Sequence, residues 1–224
     1  MADLESLYRE RFSEAQCVRK DQIWRVLCRD YFQQFVRPEQ DTVLDIACGL
    51  GEFTRHIRAR EKIAIDLNKE AAALLPPEAK FHLGSAEHMS AVGNDSIDVC
   101  FSSNFLEHLP TKEVVQNVLL EIRRVLRPGG LYVALQPNIR FCSDVYWDFW
   151  DHHTALSDRS CRELFVQSGL SVIHLIPRFL PYSTKSALPT HPALIAAYLR
   201  VPLAWKLLGK QFLIVGQKSA ARAA

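Results

Sequence analysis

The sequence predicts an α/β fold: one doubly wound, seven-stranded, mostly parallel sheet with helices on both faces. Three observations point there. Short apolar runs of strand length alternate with helical patterns between residues 42 and 217, which is the spacing of βαβ units. The loop after the first run carries two glycines close together, as strand-to-helix turns in such sheets do. The chain has 224 residues, 48% apolar and 23% charged, enough for one sizeable core and the balance of an ordinary globular domain.

Taken in order, residues 3–36 read as helix, because Ile23, Trp24, Val26, Leu27, Tyr31, Phe32 and Phe35 recur at helical spacing before Pro38. Residues 1–41 thus form an N-terminal helical flank. TVLDIA (42–47) is the first strand, Gly51–Arg60 a helix, and KIAIDL (62–67) the second strand. Lys69–Leu75 is a short helix stopped by Pro76-Pro77. KFHLG (80–84) and SIDVCFSS (96–103) are the third and fourth strands. Thr111–Leu126 is an amphipathic helix with Val114, Val115, Val118, Leu119, Ile122, Val125 and Leu126 on one face. Thr111 caps it, and Pro128-Gly129-Gly130 stops it. LYVALQ (131–136) is the fifth strand, Ser157–Ser168 a helix ended by Gly169, LSVIHLI (170–176) the sixth strand and QFLIVGQ (211–217) the seventh. One domain, 42–217, is expected, with 178–210 as an inserted cover and 218–224 as a disordered tail.

The charge sum, 27 basic against 25 acidic residues, is +2. It offers no electrostatic case for nucleic acid. Cys17, Cys28, Cys48, Cys100, Cys142 and Cys161 are scattered singly with no C-x-x-C pair, so they read as reduced thiols rather than zinc ligands. The start, MADLESLYRERF, has no apolar stretch of signal-peptide type, and no apolar run approaches the roughly 20 residues that span a bilayer. A cytoplasmic location is expected.

In open α/β sheets the ligand lies at the carboxyl ends of the strands. The loop there reads Asp45-Ile46-Ala47-Cys48-Gly49-Leu50-Gly51-Glu52-Phe53. A dinucleotide wants G-x-G-x-x-G, but Thr54 stands at the third glycine. Two carboxylates, Asp45 and Glu52, would repel a pyrophosphate and suit a ligand carrying an ammonium or sulfonium charge. Cys48 reads as a small spacer rather than a nucleophile.

Five segments in order, LDIACGLGEFT (44–54), IAIDLN (63–68), GSAEHM (84–89), DSIDVCFSSNFLEHL (95–109) and EIRRVLRPGGLYVA (121–134), resemble a class I S-adenosylmethionine-dependent methyltransferase of the small-molecule, type 11/12-like kind. The resemblance covers Thr42 to Gln136 and implies a Rossmann-like sheet with S-adenosyl-L-methionine as cofactor. It implies that Asp45, Ala47 and Gly49 hold the methionine end, that Gly51 also binds the cofactor, and that Asp66 accepts from both ribose hydroxyls. It places Leu67 on the adenine, Ser85 and Ala86 at the adenine edge, and Ser103 and Asn104 beside the sulfonium. The chain departs from the family at Ala47, commonly glycine, and at Ser85, commonly aspartate.

Methyl transfer needs a general base only when the acceptor must lose a proton. His153 and His152, in the aromatic stretch Tyr146–His153, are the expected catalytic residues, and His108 is expected to hold the rim of its loop. No metal site is expected from His152, His153, Asp148 and Asp151, because adjacent side chains on extended backbone point apart. The acceptor is expected to be a small molecule, a sugar hydroxyl or a lipid-linked intermediate. Residues 192–210, an apolar run with Tyr198, Arg200, Trp205, Lys206 and Lys210, either touch a membrane surface or cover the domain or a second subunit. Two other classes compete. A nicotinamide-dependent oxidoreductase would need the third glycine and a Tyr-x-x-x-Lys pair. A non-catalytic methyltransferase-like binding module would not need the intact loop. A nucleic-acid methyltransferase would want Asn/Asp-Pro-Pro-Tyr where Ser103-Asn104-Phe105-Leu106 stands.

Overall fold

The computed structural model describes residues 14–182 and 191–220. Helix α1 (Glu14–Asp30) leads through a 3-10 turn, Phe32–Phe35, to strand β1 (Thr42–Ile46). Then come α2 (Glu52–His56), β2 (Glu61–Asp66), a 3-10 turn at Lys69–Leu74, β3 (Lys80–Leu83) and β4 (Ile97–Ser103). A 3-10 turn at Leu106–His108 precedes α3 (Lys112–Val125), β5 (Leu126–Pro137) and α4 (Ile139–Cys142). The chain ends with α5 (Asp158–Gln167), β6 (Leu170–Ile176), α6 (Pro192–Leu199), α7 (Pro202–Leu208) and β7 (Gln211–Lys218). The first residues of the expected 3–36 helix, and 221–224 of the expected tail, lie outside the described residues.

The seven strands make one sheet in the order β3-β2-β1-β4-β5-β7-β6. All neighbours pair parallel except β7, which runs antiparallel to both β5 and β6. Strand order reverses at β1, between β2 and β4, so a crevice opens at the carboxyl ends of those strands.

Alternation along the strands feeds two cores. Leu44, Ile46, Cys100, Tyr132 and Ala134 face α3 and α5, where Val118, Leu119, Ile122 and Phe165 are buried. Val43, Val99, Phe101, Val133 and Leu213 face α1 and α2, where Trp24, Leu27 and Phe53 are buried. Sheet residues one apart thus serve opposite layers, as period-2 side chains require. Thr111 accepts from the Val114 amide and caps α3; Ser157 does the same for α5 through the Ser160 amide.

Four elements differ from expectation. The first helix, expected to run to 36, ends at Asp30 and gives way to the 3-10 turn Phe32–Phe35. The helix expected over Gly51–Arg60 stops at His56, because the Arg58 amide donates to Gln33 Oε1 at 3.0 Å and the Arg60 amide to the Asp41 carbonyl at 3.0 Å. The segment before β1 thereby takes the backbone that a longer helix would use. Strand β5 starts five residues early, at Leu126 rather than 131, since Leu126 already pairs with Ile97 before a register shift. Gly130 lets this happen: a Cβ there would come within 2.9 Å of the Arg127 carbonyl and 3.1 Å of those of Asp98 and Ile97. The short helix expected over Lys69–Leu75 is a 3-10 turn capped by Asn68.

Helix α6 lies beside α1 and α7 beside α6, with Leu199 buried and Trp205 edge-on to Tyr31 and Phe179 at 5.9 and 5.2 Å between ring centres. No helix among the described residues is long and apolar enough to cross a membrane.

Candidate active site

Asp45 is the fourth residue of β1 and is buried. It accepts a 2.6 Å hydrogen bond from the Thr54 hydroxyl on α2. Burial pushes its carboxyl up to about 7; the Thr54 bond opposes this and the neighbouring Glu52 adds to it. Glu52, also buried, has Lys20 of α1 3.1 Å from its Oε1.

The turn between them is made by backbone at positive φ: Ala47 at 53°, Gly49 at 56° and Gly51 at 73°. Glycine adopts this region freely, whereas for Ala47 it costs about 1–2 kcal/mol. At Gly51 a Cβ would also lie 2.6 Å from Leu75 Cδ2. The Gly49 amide donates to Asp66 Oδ2 at 2.9 Å, and the Asn68 amide to Asp66 Oδ1 at 2.8 Å. Asp66, at the end of β2, thus ties the glycine loop to the next strand while each oxygen keeps a second lone pair. Leu67 beside it is 65% exposed.

The remaining residues expected at the cofactor lie on the same rim. Ser85 turns the chain after β3, its hydroxyl accepting from the Glu87 amide at 3.2 Å, and Ala86 is buried. Ser103 ends β4. Asn104 follows at φ 47°, donating to Ser103 Oγ and accepting from Gln211 at 2.6 Å. The structure therefore brings Asp45, Ala47, Gly49, Gly51, Asp66, Leu67, Ser85, Ala86, Ser103 and Asn104 to the carboxyl ends of β1 to β4.

The acceptor-side histidines separate. His152 is buried against Phe149 and Tyr146, with Nε2 3.4 Å from the Tyr182 hydroxyl. His153 is exposed. Its amide, and that of Thr154, donate to the Glu107 carbonyl at 2.8 and 3.1 Å, which sets which ring turns inward.

Glu107 was not anticipated as a site residue. Its side chain is fully buried, at 0% exposure, in the 3-10 turn after β4. Burial pushes its carboxyl up to about 7, with His108 opposing. His108 Nδ1 lies 2.9 Å from the Asp151 carbonyl and 3.2 Å from Asp151 Oδ2. Burial disfavours the His108 imidazolium, but Asp151 and Glu107 outweigh it and raise the pKa above the ordinary value. The only sequence signal was position: Glu107 sits inside the segment that carries the family resemblance.

A carboxylate at the tip of β2, a glycine turn after β1 and the 3-2-1-4-5-7-6 order define the class I S-adenosylmethionine-dependent methyltransferase fold. Residues 44–134 match the model of the methyltransferase-domain family. The chain is 35% identical over 124 residues to the 2-methyl-6-phytyl-1,4-hydroquinone methyltransferase of Synechocystis sp., an alignment covering 51% of this chain and 37% of that one. The chain spans less than half the length of this relative. Among solved structures it is similar to an S-adenosylmethionine-dependent methyltransferase from Archaeoglobus fulgidus (TM-score 0.66, 16% identity, 96% of this chain and 100% of that one). It is equally similar to the Haloferax volcanii complex of the Trm112 methyltransferase activator with a methyltransferase (TM-score 0.66, 18% identity, 92% and 94% covered). At these identities the structural likeness speaks for the fold alone.

Proposed function

We propose that the chain transfers a methyl group from S-adenosylmethionine to a small-molecule acceptor. The observation that carries this is Asp66, which ends β2 beside exposed Leu67 and closes the Gly49 loop with one oxygen. That cradle suits a vicinal diol with an adenine beyond it, and the buried carboxylates Asp45 and Glu52 suit the cationic methionine end. A nicotinamide dinucleotide would set its pyrophosphate against those same carboxylates. Bound S-adenosylmethionine would supply an electrophilic methyl on a sulfonium. Asp45, Gly49 and Asp66 would orient it, and Ser103 and Asn104 would border the reacting end. Catalysis then comes mainly from positioning and exclusion of water. Of the two histidines expected to act as base, His152 is buried among aromatic rings and exposed His153 holds its turn through its amide, so this reading rests on neither as base. Calorimetry with S-adenosylhomocysteine tests the cofactor reading, which no binding would overturn. Isotopically labelled cofactor in a cell extract, followed by mass, identifies the acceptor.

Asp45 gives this reading a pH signature. Its folded value near 7 lies above the ordinary 3.8. Its contribution to stability is therefore full below pH 3.8 and lost as pH rises through 7. A cationic cofactor favours the carboxylate, so binding near pH 6.5 should release a proton and tighten toward pH 8. Calorimetry in two buffers of unlike ionisation enthalpy reads this. Equal heats in both would show that Asp45 does not meet the cofactor's charge.

For the acceptor we favour an apolar or lipid-linked molecule over a free sugar. Val201, Leu203, Leu207 and Leu208 around α7, with Leu194 of α6, are exposed, and Lys206 stands among them. This arrangement suits a membrane interface contacted through 192–210. Flotation with anionic phospholipid vesicles should carry the protein, and Leu203→Asp/Leu207→Asp should leave it at the bottom. Equal flotation of both proteins would reduce the segment to a cover. The near-neutral charge argues against a nucleic-acid acceptor, and the six unpaired cysteines fit a cytoplasmic enzyme.

A further inference from the structure

We propose that Glu107, His108 and His152 form a binding site for a divalent first-row transition metal ion on the acceptor side of the crevice. One ligand atom from each of the three lies within 4.8 Å of the other two. His108 Nε2 stands 4.0 Å from Glu107 Oε1. Bonds of about 2.0–2.1 Å put two ligand atoms of one ion no more than about 4.2 Å apart, so side-chain shifts of roughly 1 Å gather the set.

Three further features fit an ion. Glu107 is wholly buried, and neither carboxylate oxygen accepts a hydrogen bond. A bare buried carboxylate is costly, and a cation between it and two imidazoles removes that cost. The outward nitrogen of His108, Nδ1, lies at the Asp151 carbonyl and carboxylate at 2.9 and 3.2 Å. That is the carboxylate–histidine–metal arrangement, which turns Nε2 and its lone pair toward Glu107. His152 likewise has Nε2 at the Tyr182 hydroxyl, 3.4 Å away, and its other ring nitrogen, Nδ1, is buried.

Two imidazoles and one carboxylate select zinc, cobalt, manganese or iron(II) over magnesium or calcium. Three protein ligands leave a position for an oxygen of the acceptor or for water. His108, 30% exposed, is the cluster's outlet. This set differs from the histidine pair weighed on sequence: His153 takes no part, and Glu107 and His108 reach His152 from the β4 turn. The site does not depend on the methyl-transfer reading and is measured without it.

The full chain, stripped with a chelator, is titrated with Co²⁺ and followed by visible absorbance, with Zn²⁺ as competitor. We expect one equivalent per chain, with d–d bands stronger than those of the aqueous ion and bleached by Zn²⁺. Glu107→Gln and His152→Gln should abolish the bands. Asp151→Asn, which leaves all three ligands, should weaken binding about 10- to 100-fold. Circular dichroism checks that each variant is folded. No bands in the wild type, bands unchanged in the two ligand variants, or a sulfur-to-cobalt charge-transfer band placing the ion on cysteine would each overturn the site. S-adenosylhomocysteine binding on the same samples reports the cofactor reading separately.

Discussion

Asp66→Ala should bind S-adenosylhomocysteine at least about 100-fold more weakly than the wild type. Two hydrogen bonds from ribose hydroxyls to a carboxylate contribute about 1.5–3 kcal/mol each, and 1.4 kcal/mol is tenfold in affinity. The variant also loses the acceptor for the Gly49 amide, 2.9 Å away, so the glycine loop loosens. Asp66→Asn separates the two effects. Its amide oxygen can still accept one bond, but its NH₂ meets the Gly49 or Asn68 amide donor to donor. It should fall between wild type and alanine. Asp66 is only partly buried, so neither variant should unfold, and thermal melts without ligand should move little. Binding by Asp66→Ala within about threefold of wild type would remove the ribose role from Asp66.

Strand β6 was legible over its whole length because its pattern is local, and α3 because its cap and apolar face lie in one window. Two of the misread boundaries depended on distant partners. The end of α2 is set by Gln33 and Asp41, and the start of β5 by Ile97. That the residues expected at the cofactor gather at the carboxyl ends of β1 to β4 was legible, because they lie in short segments at strand ends. The acceptor side was not. Side chains of neighbouring histidines must diverge on extended backbone, and that was foreseen. Which ring turns inward is fixed by two amides donating to the carbonyl of Glu107, a contact between segments far apart in the chain. Glu107 itself reads as an ordinary surface glutamate until the turn Leu106–His108 folds it under.

Helix α1 and the turn after it, separable on sequence, pack against α2 and β4, and Phe32→Ala should show it. Phe32 is buried with its ring 5.2 Å from Phe101, 6.2 Å from Phe53 and 6.0 Å from Trp24. Phe53 belongs to α2, directly after the glycine loop, and stacks on Phe101 of β4 at 3.7 Å. Two residues beyond Phe101, Ser103 borders the crevice. Outside this stack, Asp21 of α1 accepts from Arg55 and lies 2.8 Å from His56 Nε2. Together with the Lys20–Glu52 pair, these contacts hold α2, and hence the loop before it, from the α1 side. Removing a buried phenylalanine ring costs about 3–5 kcal/mol. At about 2–4 °C per kcal/mol for a chain of this size, the melt should fall by roughly 6–20 °C. Phe35→Ala, at a half-buried ring of the same turn, should cost far less. Saturating S-adenosylhomocysteine should recover part of the loss, since a ligand that binds only the folded state stabilises it in proportion to the logarithm of its concentration over Kd. That recovery should be smaller in Phe32→Ala than in Phe35→Ala, because a loosened α2 raises Kd as well. Equal recovery in both would mean that α1 braces the sheet but leaves the cofactor loop alone.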